Sequence, residues 1–413
     1  MKLWIKNTNK TPLHLILITE AFSSLTNQLM QLLLPWYVLS TTGNVLWTGI
    51  VGFCSLLPNI FSSLFGARVI EKAGRSKTML SCEIIQLLLI AAIPVLIVCK
   101  KDIPWVIGLI VLLISFFDAP GQMARTALSP TFSRYAGVPV SKTSGIVEAF
   151  DGIMSVAGPI LGGIVIALWG LLPAWILCSS FCLIIVFLCL MVFTNRKPRI
   201  LRPTAGYRQV FSFIRSDKTL YYPILFMLPT FILGQSWELV ILPTYIYEQN
   251  FSALYLGFLG AAFGLGAFSG ALLFAQRAKK FRFFSLLTLN YAGYLLSVAV
   301  LYFNLPKITI LAATVLCGIP FGAFGAMITS IILLRTPDAL RSKTLGLYAA
   351  VTYIVESASV LLIAYGLYSV GLQKMLFIIT SLFAILIVLS LIFRQKEDFW
   401  STLNLSENKV FTK

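Results

Sequence analysis

Twelve long, almost uncharged runs recur along the chain, at 13–40, 47–67, 78–99, 103–124, 143–169, 172–194, 219–247, 252–275, 283–303, 306–334, 344–370 and 372–393. A helix rises about 1.5 Å per residue, so roughly 20 apolar residues cross the hydrocarbon core of a bilayer. Each run is long enough to do so. Water would not tolerate this chain folded in any other way, because 58% of it is hydrophobic and only 11% charged, against about a quarter charged in soluble domains. Readings of the whole chain as a secreted toxin, a DNA-binding domain or a cytosolic enzyme are therefore excluded. A membrane β-barrel would show short alternating segments of about ten residues, and these are absent.

The net charge of +17 is distributed as a topology signal. If the runs are spans, 28 of the 32 basic residues fall in the loops and ends of one side, and only Lys100, Lys101, Lys307 and Lys374 fall on the other. Positive charge is retained on the cytoplasmic face, so both termini are expected to be cytoplasmic. On this reading every basic residue, Arg125 included, lies in a loop and none inside a span. Trp36, Trp47, Trp105, Trp169 and Trp175 fall at the predicted outer ends, where an interfacial aromatic belt belongs. The first run is too long for a cleavable signal and lacks a small-residue cleavage site. The seven cysteines lie in apolar stretches without metal-ligand spacing, and His14 is the single histidine. Cofactor and metal chemistry are not expected.

The spans divide into two sets of six. Residues 1–194 are predicted to form an N-terminal six-helix bundle, 195–218 a basic cytoplasmic linker, 219–394 a C-terminal six-helix bundle and 395–413 a cytoplasmic tail. Duplicated six-span halves with a binding site near the midplane are a transporter architecture. The linker's charge suits anionic lipid headgroups better than a nucleic acid.

Two segments carry mechanism. The loop after the second span reads Phe65-Gly66-Ala67-Arg68-Val69-Ile70-Glu71-Lys72-Ala73-Gly74-Arg75-Ser76-Lys77. A glycine turn holding an acid and several bases suits a charge latch that can close and release. The fifth span contains Gly145 and then Gly158-Pro159-Ile160-Leu161-Gly162-Gly163, where proline removes a backbone hydrogen bond and the glycines allow close packing. Together these segments resemble the major facilitator superfamily. The first is similar to its motif between helices 2 and 3, with Glu71, Lys72, Gly74 and Arg75 in the acidic, basic, glycine and arginine positions, while Ala67 and Ser76 depart from it. The second resembles the antiporter motif of its drug/proton exporters, with Met154 in place of an expected glycine. The resemblance covers the whole chain and is nearest to the branch of macrolide-efflux permeases and siderophore exporters. It implies an all-α membrane fold of twelve transmembrane helices in two pseudo-symmetric six-helix bundles. The fourth span, taken as 103–124, lacks the arginine that many drug/proton antiporters carry there.

Seven acidic residues fall inside predicted spans: Glu20, Glu83, Asp118, Glu148, Asp151, Glu238 and Glu356. An ionised, unpaired carboxylate in hydrocarbon is costly, so each must face a partner, a cavity or a proton. Asp151 and Glu356 lie nearest the midplane and are the first expected proton or substrate sites. Glu20 follows, and Glu238 beside Gln235 and Trp237 offers a cation an acid together with an aromatic face. Asp118 is expected to act as the latch partner of Arg75. Glu83 and Glu148 are expected to be hydrogen-bonding groups or acids at the inner mouth. Gly318-Ile319-Pro320-Phe321-Gly322 is expected to bend the tenth span, as a gating element or as a packing kink.

The expected protein is a monomeric, multi-pass transporter of the inner membrane that exports an amphipathic small molecule in exchange for protons. Its partners are that substrate, protons and membrane lipid, with no nucleic acid and no cofactor. An uptake permease or a lipid or siderophore transporter is the alternative. A membrane enzyme would want polar clusters in its loops, and a sensor or scaffold would want a sizeable soluble domain; the short loops offer neither.

Overall fold

The computed structural model describes residues 11–101, 103–193 and 206–395. Residues 195–205 of the predicted linker and the tail from 396 onward lie outside the described residues. The chain is helical throughout that range: α1 (Thr11–Thr42), α2 (Val45–Ala73), α3 (Arg75–Val98), α4 (Pro104–Tyr135), α5 (Val140–Trp169), α6 (Leu171–Val192), α7 (Tyr207–Ser216), α8 (Lys218–Ser236), α9 (Leu242–Glu248), α10 (Ala253–Arg277), α11 (Phe283–Tyr302), α12 (Lys307–Arg335), α13 (Asp338–Val370) and α14 (Leu372–Gln395). Helix α8 runs into α9 through five residues of π-helix, Trp237–Ile241. Pro243 has no N–H to donate and its ring crowds the carbonyl four residues back, and the ladder widens just before it, with Leu242 N–H bonded to the Trp237 carbonyl.

Eleven segments are long and apolar enough to cross a membrane among the described residues, the joined α8 and α9 counting as one. Helix α1 has the length at 32 residues but is more polar. Its Glu20, Ser23, Ser24, Asn27, Gln28 and Gln31 follow the i, i+3, i+4, i+7 spacing of a single helix face. That stripe faces inward, as the site below shows.

Turns are short where two helices must double back. Gly74 alone separates α2 from α3 and Gly170 alone separates α5 from α6, with φ of 90° and 89°, values that a side chain makes unfavourable. The predicted linker is not extended throughout, since α7 occupies its second part. Val210 faces inward and Phe211 outward there, and the Tyr207 hydroxyl donates to the Leu64 carbonyl of α2 at 2.5 Å.

Within the first six long helices, α1 packs on α5 and α6, α4 on α2 and α3, and α3 on α6. Within the rest, α8 packs on α13, and α11 and α12 join α14 and α10. The two sets meet mainly along α2 with α13 and α5 with α10. Small residues make both crossings possible. A Cβ on Gly257 would meet the Pro159 carbonyl, one on Gly264 the Ser155 carbonyl and one on Gly163 the Ala253 carbonyl. Along α2 and α13, Gly49 abuts Ala364 and Gly346 abuts the Ser63 carbonyl. With no hydrophobic drive between helices in lipid, such close approach supplies the association through van der Waals contact. Gly318 and Gly322 in α12 lie against Gly266 and Ala267 of α10, and α12 continues through them as one helix. They form a packing seam.

Candidate functional site

A cavity of about 380 Å³ lies between the two sets of helices. Helix α1 contributes Gln28 and Gln31, α5 contributes Glu148, Asp151, Ser155 and Pro159, α8 and the π segment contribute Gln235 and Glu238, and α13 contributes Glu356. Phe231, Phe263, Phe268 and Phe321 supply much of the apolar wall. Four carboxylates thus face one space, and among the described residues no lysine or arginine joins them in the lining. Leu32, Leu242 and Leu256 line the end where Trp36 of α1 and Tyr247 of α9 meet edge to face at 6.4 Å. At the other end Glu148 is exposed, and the neighbouring turn of α5 holds Gly145, with nothing within 4 Å of where a Cβ would stand.

The expected midplane acids Asp151 and Glu356 both line this cavity, from opposite walls, together with Glu238 and Gln235. Asp151 lies beside Ser24 of the α1 stripe. Glu356 is largely buried at 8% exposure, and Ser359, one turn along, meets Ser236 of α8 at 3.2 Å. The π-helical turn offers a reason why Glu238 reaches the wall: widening the ladder rotates the residues that follow Ser236 relative to a regular helix.

Trp237 does not offer an aromatic face to this space. Its ring is buried at 1% exposure in the hydrophobic core, because the same π turn that presents Glu238 directs its neighbour inward. Glu20 is also placed elsewhere. It leaves the cavity wall to Gln28 and Gln31, two and three turns farther along α1, and binds an arginine instead.

That arginine is the residue sequence reasoning missed. A fourth span ending at 124 places Arg125 in a loop, but α4 continues to Tyr135 and buries Arg125 at 1% exposure. Its Nε donates to Glu20 Oε2 at 3.0 Å, its Nη2 to Ser23 Oγ at 2.5 Å, and its Nη1 pairs with Glu83 Oε1. One guanidinium therefore ties α1, α3 and α4 together. The expectation that no basic residue lies inside a span is corrected: an arginine survives there because its fork reaches two carboxylates and a hydroxyl at once. The signal was available in the sequence as polar residues at helical spacing in the first span, which demand a partner of their own. Trp175 needs a similar correction, being fully buried against Tyr37 and not part of an exposed belt.

The latch is arranged differently from expectation. Arg75 Nη1 donates to the Ala127 carbonyl of α4 at 3.0 Å, while Asp118 lies more than two turns away along the same helix, beside Asn27 of α1. Asp118 thus belongs to the α1 stripe. The side chains of Glu71 and Lys72 lie outside the described residues; Gly74 forms the turn already described. Of the antiporter-like residues, Gly158 packs on Gln28, Gly162 on Leu29, and Pro159 and Gly163 on α10, so all but Gly145 are contact positions in a helix that runs unbroken from Val140 to Trp169.

Comparison with known proteins agrees with this architecture. The family model described as Major Facilitator Superfamily matches residues 16–359. The chain is 26% identical over 358 residues to the multidrug efflux pump Tap of Mycolicibacterium fortuitum, covering 84% of this chain and 87% of that one. It is 24% identical to the pump of the same name from Mycobacterium tuberculosis (strain ATCC 25618 / H37Rv), covering 87% of each. Among solved structures, the nucleoside transporter NupG (D323A mutant) superposes with a TM-score of 0.77 at 11% identity, over 92% of this chain and 99% of that one. A bacterial homologue of the iron transporter ferroportin in an inward-facing state gives 0.67 at 13% identity, over 92% and 98%. A family match over most of the chain, the shared fold, and a central cavity between two sets of long helices lead to one assignment: this chain belongs to the major facilitator superfamily.

Proposed function

We propose that this protein exports amphipathic organic cations from the cell across the inner membrane, in exchange for protons, by alternating access. The observation that carries the reading is the cavity itself: four carboxylates, aromatic walls and no basic residue in the lining. A lipophilic cation satisfies both requirements, its charge meeting Asp151 or Glu356 and its apolar body meeting Phe231, Phe263, Phe268 and Phe321. The multidrug efflux function of the Tap relatives supports export of this class.

Carboxylates in a membrane-embedded cavity cannot stay charged, empty and dry without penalty. Protons and cations therefore compete for them, and that competition is antiport. Residues 1–194 and 219–394 serve as the two rocking halves, with both termini and the linker on the cytoplasmic side. In that orientation the exposed Glu148 marks a mouth open to the cytoplasm, and the Trp36–Tyr247 contact closes the outer end. Arg125 acts within the first half: it lies within electrostatic range of Asp151, so a proton or substrate at Asp151 alters the field on the Glu20–Arg125–Glu83 cluster. A latch role for the motif of Glu71, Lys72, Gly74 and Arg75 is part of this reading, supported by the contact of Arg75 with the Ala127 carbonyl of α4, and the protein works as a monomer.

The test is accumulation of a fluorescent lipophilic cation in cells with and without the protein. Lower accumulation that is abolished by a protonophore supports the reading. Efflux that ignores the protonophore removes the proton step, and higher accumulation in expressing cells reverses the direction.

A further inference from the structure

Behind the wall that carries Glu238 and Glu356, the second set of helices buries polar atoms with no protein partner. The hydroxyls of Thr230 and Tyr294 and both amide atoms of Asn290 are in this condition, and all three residues are fully buried. They are grouped. Asn290 and Tyr294 stand one turn apart on α11, and Thr230 stands one turn before Gly234 on α8. The Tyr294 hydroxyl lies 3.5 Å from the position a Cβ on Gly234 would take, and Gly234 lines the cavity one turn from Glu238. The hydroxyl is thus separated from the cavity by a residue without a side chain.

The Tyr294 ring is held by Phe321 and Phe383. On the side away from the π segment, Phe226 meets Phe284 and Phe393 edge to face, and Phe283 meets Phe284 likewise. The titratable neighbours of Tyr294 are Glu238 of the π segment, Glu356 of α13 and Cys317 of α12. Glu356 also faces Glu238 and, on its own helix, Tyr348 and Tyr353. No positive group is among these neighbours. Buried polar groups that lack protein partners destabilise a fold unless ordered water satisfies them, and a recess with several such groups is where proteins hold water.

We infer that this recess is a hydration site, and that Tyr294 passes a bound water through the Gly234 gap to Glu238 and Glu356. Tyr294 is then a positioning residue. The water it holds donates to the carboxylates in their ionised form and so sets how readily the protonated acids release their protons to water when a cation takes their place. The inference rests on the proton-for-cation exchange proposed above and adds the residues that tune it.

The experiment measures binding of tetraphenylphosphonium to the purified full-length protein as a function of pH, for wild type, Tyr294→Phe and Asn290→Leu. Phenylalanine keeps the ring contacts, and leucine keeps asparagine's branched four-atom skeleton while replacing its two unsatisfied polar atoms with methyl groups, so both variants are conservative in shape. Losing a hydrogen bond to the charged form favours protonation, so the binding midpoint moves to higher pH by about one unit in Tyr294→Phe and in the same direction in Asn290→Leu. Binding above the midpoint is unchanged, and thermal stability is equal or higher. A purely structural role would alter stability and leave the midpoint in place. Midpoints within about 0.2 unit of a pH-dependent wild type overturn the hydration site alone, since a change that small is a negligible free-energy difference. A wild type whose binding does not depend on pH overturns proton exchange, and the hydration site with it.

Discussion

Replacing Arg125 with methionine tests the cluster at the centre of the first half. Methionine fills much of the volume but leaves Glu20 and Glu83 facing each other without a cation, at 12% and 4% side-chain exposure. Breaking a buried ion pair by removing one partner destabilises by about 3–5 kcal/mol. A carboxylate can escape that penalty by taking a proton. From an ordinary glutamate value of about 4.3, protonation at pH 7 costs roughly 3.7 kcal/mol, and at pH 5 roughly 1 kcal/mol. The loss in Arg125→Met is therefore at least about 3 kcal/mol at pH 7, rising toward 7 if both acids must be neutralised, and falls to about 1–2 kcal/mol at pH 5. The sign is unusual, because acid then rescues the variant. Thermal unfolding of the solubilised protein across pH 5–8 reads it directly. The triple variant Arg125→Met, Glu20→Gln, Glu83→Gln removes the charges together and should recover most of the lost stability, since a neutral replacement of a buried ion cluster is commonly tolerated. A loss in the single variant that does not change with pH, or a triple variant no better than the single, would refute the assignment of Arg125 as the common partner of the two glutamates.

Asp151→Asn and Glu356→Gln should each reduce cation efflux severalfold while membrane insertion and yield stay at wild-type level, as measured by transport in vesicles beside quantified expression; full transport in both removes these residues from the proton–cation site. Gly257→Leu places a side chain against the Pro159 carbonyl at the α5–α10 crossing, and overpacking of this kind destabilises by about 1–3 kcal/mol; an unfolding midpoint and transport rate equal to wild type would show that this crossing is loose. Lys307 stands 4.0 Å above the Phe251 ring while the Tyr255 hydroxyl donates to its carbonyl at 2.7 Å, so Lys307→Gln should lower stability by about 0.5–1 kcal/mol with little change in transport, and a transport defect without a stability change would contradict this purely structural role.

The membrane class was legible from the apolar runs alone, because a bilayer sets the length of a span and leaves the backbone only the helix or the closed barrel, and the long unalternating runs select the helix. The four carboxylates of the cavity were visible as charges that hydrocarbon does not tolerate. Which of the seven acids share a space was not visible, since periodicity assigns a residue to a face of its own helix and says nothing of what that face meets. Asp118 and Asp151 differ little in the sequence, yet one meets Asn27 and the other meets Ser24 at the edge of the cavity. Arg125 shows the limit most plainly. A cation next to a run's apparent end reads as a loop residue until two carboxylates from α1 and α3, 105 and 42 positions away in the chain, are found around it. The π turn that separates Glu238 from Trp237 likewise needed the packed structure, since proline permits a widened ladder without requiring one. Chain composition determined the solvent, the secondary structure and where charge is too expensive to leave alone; the packing of distant helices decided which charges are paired and which are left facing a cavity, because only tertiary contact changes the dielectric and the partners a side chain meets.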